Sequence, residues 1–415
     1  MIGGGPAGLM AAGQAALAGA PVLLLERMDH LGAKLRLTGN GRCNLTNLAD
    51  PDRFFERFQG GERFFLRNSL ARFSAPDLVA FFEEMGVSTV VEEGGRVFPS
   101  SHSARQVAEA LARFAGEQPG VEIRLCSRVV RLRRDCAQVR GVALEDGQRI
   151  AAGAVIIATG GASYPHTGSS GDGYRLAEQA GHHLIPIRPA LVPLVIAGPE
   201  PVAMKGLPLC GVEVRLLLDG QEMARASGEM IFTHYGVSGP LILTLSGPAV
   251  DAFKQGRLEL AINLRPELTP EQLDAWLRAE LDRHGRRTLP NILKELLPPR
   301  LAAIVAARAG IDPAQPAHQV TTAERARLRD LLHDFRLVVA GHRPLSEAMI
   351  TAGGVDTREI DPATMASRLT TGLYLAGEVL DVQADTGGYN LQAAFSTGYV
   401  AGRAAAAFVT NGSTG

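Results

Sequence analysis

The sequence predicts an α/β fold: a doubly wound parallel sheet built from both ends of the chain, with a β-plus-helical domain inserted between them. Three observations predict it. A glycine-rich strand-to-helix turn opens the chain, short apolar strands recur near both ends, and the stretch from about Leu191 to Ile350 changes in character. A length of 415 residues allows two or three domains at roughly 150 residues each. With 46% hydrophobic and 20% charged residues the chain can bury a core and is not a disordered polymer. A formal net charge of −1 excludes a generally basic nucleic-acid coat or an acidic tail protein, though not a local basic patch.

The first element is the turn Gly3-Gly4-Gly5-Pro6-Ala7-Gly8, leading into a small-residue helix to about Ala18. Gly3, Gly5 and Gly8 form G-x-G-x-x-G, which permits a tight turn, close approach of backbone to a pyrophosphate, and close helix–sheet packing. Pro6 and Ala7 start the helix, whose free N–H groups and dipole face the phosphates. The strand Val22-Leu23-Leu24-Leu25 then ends in Glu26, placed to hold a ribose hydroxyl pair and to repel a 2′-phosphate, so NADP suits this pocket poorly. The first 25 residues carry no charge, but six glycines and two prolines interrupt them and no basic segment precedes them, so neither a signal peptide nor a membrane span is expected. Only Met1 and Ile2 precede the glycines, where a central strand usually has about 5–6 residues. Upstream residues are therefore expected in the natural protein.

A second apolar strand, Ala154–Ile157, ends in Ala158-Thr159-Gly160-Gly161, another place where backbone can press on a ligand. The third is Gly372-Leu373-Tyr374-Leu375-Ala376-Gly377-Glu378, followed by Asp381. Thr386-Gly387-Gly388-Tyr389-Asn390 then introduces a helix from about Leu391 to Phe408. A carboxylate such as Asp381 suits the hydroxyls of a ribityl chain, and a glycine-rich helix N-terminus suits the pyrimidine edge of a flavin. Together the two ends predict FAD.

The middle segment contains β-rich runs at Val212–Leu218 and Arg257–Leu264, and helical patterns at Pro270–Arg283, Leu289–Ala309 and Thr322–Leu332. A frayed tail is expected at Asn411–Gly415. Arg124, Arg128, Arg131, Arg133, Arg134 and Arg140 gather around one strand, a pattern that most often marks a solvated face. Aromatic residues are only 5% of the chain, which disfavours a base-stacking platform.

For chemistry, Cys43 lies in a glycine-rich turn beside Arg42, where a cation and N–H groups would lower its thiol pKa and make it a candidate acid; the alternative is a small buried filler. Arg42 could hold an anionic substrate or a flavin phosphate, or form a surface ion pair. His234 and Tyr235 sit in a turn ended by Gly236, able to orient a substrate or relay a proton, or simply structural. Tyr164-Pro165-His166 follows the Thr159-Gly160-Gly161 turn and is expected near the cofactor. The four cysteines form no C-x-x-C pair, which excludes a disulfide scaffold and a cysteine-only zinc site and fits a reducing cytoplasm. Metalloprotease, EF-hand, Walker A and G-x-S-x-G motifs are absent from the sequence, and no metal ligand set is expected. No second G-x-G-x-x-G is present, so NADH or NADPH would be a transient visitor.

Thr38-Gly39-Asn40-Gly41-Arg42-Cys43-Asn44, Arg96-Val97-Phe98-Pro99, Gly168-Ser169-Ser170-Gly171-Asp172-Gly173-Tyr174, Phe232-Thr233-His234-Tyr235-Gly236-Val237-Ser238-Gly239-Pro240 and the Gly377–Asn390 run occur in this order. The chain thereby resembles the bacterial aminoacetone-oxidase-like family of NAD(P)/FAD-dependent oxidoreductases over essentially its whole length. The resemblance implies a Rossmann-like, glutathione-reductase-type FAD domain formed by residues 1–190 and 350–415, with residues 191–349 as a β/helical domain covering the substrate. Arg27, Lys34, Thr38, Gly39, Gly41, Arg42, Val129 and Leu391 are expected to join the cofactor-binding residues named above. The leading expectation is an NAD(P)H-driven reductase of an activated C=C bond, in a small unsaturated ring or in uridine of ribosomal RNA, with Cys43, His234 and Tyr235 as catalytic candidates. The alternatives are an amine oxidase using oxygen and a flavin-stabilised RNA-binding module without turnover.

Overall fold

Short apolar runs form the parallel strands at the centre of the first unit. Val22–Leu25 pairs with Val121–Arg124, and Leu373–Leu375 pairs with Val155–Ile157. Ile2 stands between the two pairs as a strand one residue long, bridging Leu25 on one side and Ile157 on the other. Its N–H donates to the Ile156 carbonyl at 2.9 Å, and the Ala158 N–H donates to its own carbonyl at 2.9 Å. The short first strand therefore still joins the two halves of the sheet. Val155, Ile156 and Ile157 are all buried, as expected where a parallel sheet is covered on both faces.

The computed structural model describes residues 1–59 and 62–412. The chain divides into two compact units, Met1–Pro189 with Leu345–Gly415, and Ala190–Pro344.

In the first unit, the helix Pro6–Leu17 is buried from Ala7 to Ala15 because small side chains let neighbours close in on all sides. A Cβ on Gly13 would lie 2.1 Å from the Phe114 ring, and Cβ atoms on Gly398 and Gly402 would lie 2.4 Å and 2.3 Å from the carbonyl oxygens of Ala7 and Ala11. The partner in the second case is the last helix, Tyr389–Gly412, which is longer than expected at both ends. Asn411 and Gly412 of the expected frayed tail belong to this helix, and Ser413–Gly415 lie outside the described residues. The unit also holds two antiparallel three-stranded sheets, one of Thr46–Asn47, Arg96–Pro99 and Thr89–Glu92, the other of Val129–Asp135, Gln138–Leu144 and Arg149–Ala151, while Leu184–Ala190 pairs with Ile350–Val355.

The second unit is a closed six-stranded antiparallel barrel with helices packed on it. Its strand order is Leu194–Ile196, Gly236–Ser238, Gln221–Phe232, Pro208–Leu218, Leu258–Asn263 and Phe335–His342. The expected helix Leu289–Ala309 is two helices, Leu289–Leu293 and Pro299–Arg308, because Pro298 and Pro299 cannot donate the backbone hydrogen bonds a continuous helix needs. Among the described residues no helix is long and apolar enough to cross a membrane.

Candidate functional site

The three glycines of the first turn meet three different demands. Gly3 has φ +102°, and a Cβ there would lie 2.5 Å from the Ala158 carbonyl oxygen. A Cβ on Gly8 would lie 1.9 Å from the Gly3 carbonyl oxygen, so this glycine lets helix and strand touch. Gly5 caps the helix at φ −85° with no atom within 4 Å of an added Cβ. The motif thus closes the fold at two glycines and leaves open space at the third, where a phosphate would approach. Pro6 occupies the first helical turn, which carries no acidic residue, so the positive end of the dipole is not neutralised by its own side chains.

Glu26 is buried at the end of its strand. Its Oε2 accepts from the Gly4 N–H at 2.6 Å and its Oε1 from the Met28 N–H at 2.8 Å, fixing the carboxylate beside the turn. Arg27 turns to Ser170 and to Asp172, 2.9 Å away. Arg128 and Arg175 converge on the same buried Asp172.

The C-terminal motif packs closely against the start of the first helix. Gly377 has φ +78°, and a Cβ there would lie 2.9 Å from the Ala7 Cβ. Glu378 accepts from Lys34 Nζ at 2.7 and 3.0 Å and from the Thr351 N–H at 2.8 Å, while Lys34 also donates to Ser163 Oγ at 2.7 Å. Thr351 Oγ1 accepts from the Ala162 and Ser163 N–H groups, holding the Thr159–Gly161 segment against Glu378. A Cβ on Gly160 would lie 3.8 Å from Glu378 Oε2, and one on Gly161 would lie 3.1 Å from Glu378 Cδ. The buried Thr159 hydroxyl has no hydrogen-bond partner among the described residues. Asp381 is half-buried, and that burial pushes its carboxyl up from the usual carboxylate range, with Asp356 adding to the rise and Arg188 opposing it.

Gly387 and Gly388, at φ +131° and +99°, bring the chain to the start of the last helix. Asn47 Nδ2 donates to the Gly387 carbonyl at 3.2 Å, and a Cβ on Gly388 would lie 2.5 Å from the Thr46 carbonyl oxygen. The Asn390 amide is taken up by this loop, accepting from the Ala384 N–H and donating to the Ala384 carbonyl, both at 2.9 Å. Leu391 packs against the core. Val129, buried, opens the strand that leads toward Leu132. An open glycine at one helix N-terminus, a glycine pair at another, an orphaned buried hydroxyl and a fixed carboxylate fit a bound dinucleotide. FAD therefore has a coherent set of donors and acceptors here.

The Thr38–Cys43 turn is built from left-handed residues, with Gly39 at φ +58°, Asn40 at +55°, Gly41 at +84° and Cys43 at +60°. Thr38 Oγ1 donates to the Leu35 carbonyl at 2.7 Å. The expected acidic thiol at Cys43 is corrected by the structure. The side chain is fully buried among Leu9, Leu35 and Leu45, and burial pushes the thiol up to about 12, outweighing the hydrogen bond from Thr38. Arg42 points elsewhere, to Glu92 and His102, with its guanidinium 4.3 Å from the centre of the Phe98 ring. His234 and Tyr235 belong to the second unit, in the turn between two barrel strands, with their rings 4.7 Å apart and Arg343 4.7 Å above the Tyr235 ring. Tyr164 and His166 lie after Gly161, their rings 5.8 Å apart.

Ser163, Thr351 and Asp172 are among the residues of these networks that are absent from the sequence-based site. Asp172 lay within a motif already singled out. Thr351 stands two residues before Gly353-Gly354, the local signal that could have marked it.

Residues 1–404 match the family described as HI0933-like protein Rossmann domain. The chain is 35% identical over 410 residues to the 3-dehydro-bile acid Δ(4,6)-reductase of Clostridium scindens, covering 98% of each chain. It is 32% identical over 401 residues to the ribosomal RNA dihydrouridine synthase of Escherichia coli, covering 96% of this chain and 95% of that one. Among solved structures, the 3-ketosteroid Δ1-dehydrogenase of Sterolibacterium denitrificans superposes with a TM-score of 0.54 at 15% identity over 98% of both chains, a likeness of fold. The chain belongs to the HI0933-like family and is an FAD-dependent oxidoreductase.

Proposed function

We propose that the protein is an NAD(P)H-driven reductase of an activated C=C bond, with uridine in ribosomal RNA as substrate and a small unsaturated ring compound as the second reading. The observation that carries this reading is the full-length match to two relatives whose names both describe products or reactions of double-bond reduction. Amine oxidation by oxygen and RNA binding without turnover have less behind them.

Bound FAD would supply the hydride chemistry. The Gly3–Gly8 turn and the helix Pro6–Leu17 would hold its diphosphate, Glu26 its ribose, and the Gly387-Gly388 turn its pyrimidine edge. Lys34 and Glu378 keep the Thr159–Gly161 and Gly377 segments in register. His234, exposed on its turn, and Tyr235 are the candidates to relay a proton or orient the substrate. Cys43 holds its proton at neutral pH and serves as packing. NADH or NADPH is a visitor, since one dinucleotide turn is present in the sequence. The free cysteines fit a cytoplasmic setting.

Deleting the gene and measuring dihydrouridine in ribosomal RNA by mass spectrometry tests this reading. Loss of a modified site, restored by wild type, supports it; an unchanged profile contradicts the RNA substrate. In complementation, His234→Gln should lower turnover by about 10²–10⁴-fold, while Cys43→Ser should restore the site.

A further inference from the structure

The antiparallel sheet Val129–Asp135, Gln138–Leu144 and Arg149–Ala151 has two unlike faces. Leu132, Val142 and Ile150 lie side by side across the three strands; Leu132 and Val142 are buried and Ile150 partly so. The Leu132 N–H donates to Gln179 Oε1 at 3.1 Å, on the helix that packs beneath. The neighbouring rows, Arg131–Ala143–Arg149 and Arg133–Gly141–Ala151, alternate with this one and therefore point to the other face.

The acids of this sheet are already engaged at its two turns. Asp135 pairs with Arg140, Glu145 pairs with Arg128, and Asp146 accepts the Gln148 N–H. Arg131, Arg133 and Arg149 are left without an acidic partner among the described residues. By strand geometry their Cα atoms lie about 7–12 Å apart, comparable to the Debye length of about 8 Å, so their fields overlap. Arg131 and Arg133 stand on one outer strand and Arg149 on the other, with only the small Ala143 and Gly141 between them on this face, so the three guanidinium groups can reach one polyanion. Arginine is also the side chain whose planar fork matches phosphate oxygens. In a chain of net charge −1 this face is a local exception.

We infer that the Arg131–Arg133–Arg149 face docks the phosphate backbone of RNA, positioning the substrate strand without reading its sequence. The inference rests on the RNA-substrate reading above. Few aromatic side chains accompany the arginines, so binding here is electrostatic and dependent on salt.

The test compares wild-type holoprotein with Arg131→Gln/Arg133→Gln/Arg149→Gln, using fluorescence anisotropy of a labelled, unmodified ribosomal RNA transcript over a KCl series. The variant should keep its flavin content and its melting temperature. It should bind about tenfold or more weakly at about 150 mM KCl, with a log–log salt slope smaller by about 2, as expected for the loss of three single-strand phosphate contacts. In dihydrouridine formation, its KM for the transcript should rise while kcat stays. Equal affinity and slope in the two proteins would overturn the docking face even if wild type forms dihydrouridine. Absence of dihydrouridine with wild type would overturn the substrate reading, while anisotropy still decides the face. Loss of binding to anionic phosphatidylglycerol vesicles with RNA affinity unchanged would overturn it in favour of a membrane surface.

Discussion

Gly5 and Gly8 stand three residues apart in one motif, yet an added methyl group should separate them cleanly. Gly5→Ala places its Cβ in open space at an ordinary φ. It should leave stability within about 0.5 kcal/mol while weakening FAD binding at least tenfold. Gly8→Ala meets the Gly3 carbonyl and should destabilise the fold by about 1–3 kcal/mol. Chemical denaturation with flavin fluorescence reads both; full FAD affinity in Gly5→Ala would remove the phosphate from this turn. Asp381 provides a pH test. Burial raises its folded carboxyl above the unfolded value, so the protonated form is favoured in the fold. That contribution is present below the unfolded carboxylate range and is lost as pH rises through the folded value. FAD-free Asp381→Asn should therefore melt higher than wild type at neutral pH, with the advantage shrinking in acid. At this scale the sequence located the glycine turn before the first helix and Glu26 at the end of its strand, because a tight glycine turn and an apolar run are local features. It misled at Cys43, where a neighbouring arginine suggested an activated thiol. Whether Arg42 faces that sulfur or Glu92 is a tertiary fact, and so is the burial that raises the thiol.

Among the elements, the contact between the first and last helices joins the two ends of the chain, 6–17 and 389–412. It depends on Ala7 and Ala11 meeting Gly398 and Gly402 backbone to backbone. Gly398→Ala should push the helices apart, cost about 1–3 kcal/mol and loosen FAD, both readable from thermal melts with and without added flavin. An unchanged melt would show that this contact does not hold the turn in place. The strand Val22–Leu25 was legible as written and Val155–Ile157 to within one residue, because parallel strands buried on both faces read as apolar runs, while Leu373–Leu375 ends three residues before the expected Glu378, where the chain turns at Gly377. Gln221–Phe232 was not, since Gln221-Glu222-Met223-Ala224-Arg225-Ala226-Ser227-Gly228 holds no β-branched or aromatic residue. Its partner Pro208–Leu218 supplies the apolar face of that pair.

For the whole molecule, the sequence foretold an α/β sheet made by both ends and a β-plus-helical segment between them. It did not reveal that the segment closes into a barrel, because closure is set by pairings such as Leu194 with both Val237 and His342, far apart in the chain. The first strand, one residue long at Ile2, was visible as a departure from the usual pattern. The reaction itself is tested most directly by an anaerobic titration. Holoprotein is reduced with NADH or NADPH, and the flavin absorbance is followed on adding an unmodified ribosomal RNA transcript, a dehydro-bile acid, or oxygen. The account predicts bleaching by a nicotinamide and stoichiometric reoxidation by the transcript, with one dihydrouridine formed per flavin reoxidised. No bleaching by either nicotinamide, or reoxidation by oxygen alone, would contradict it.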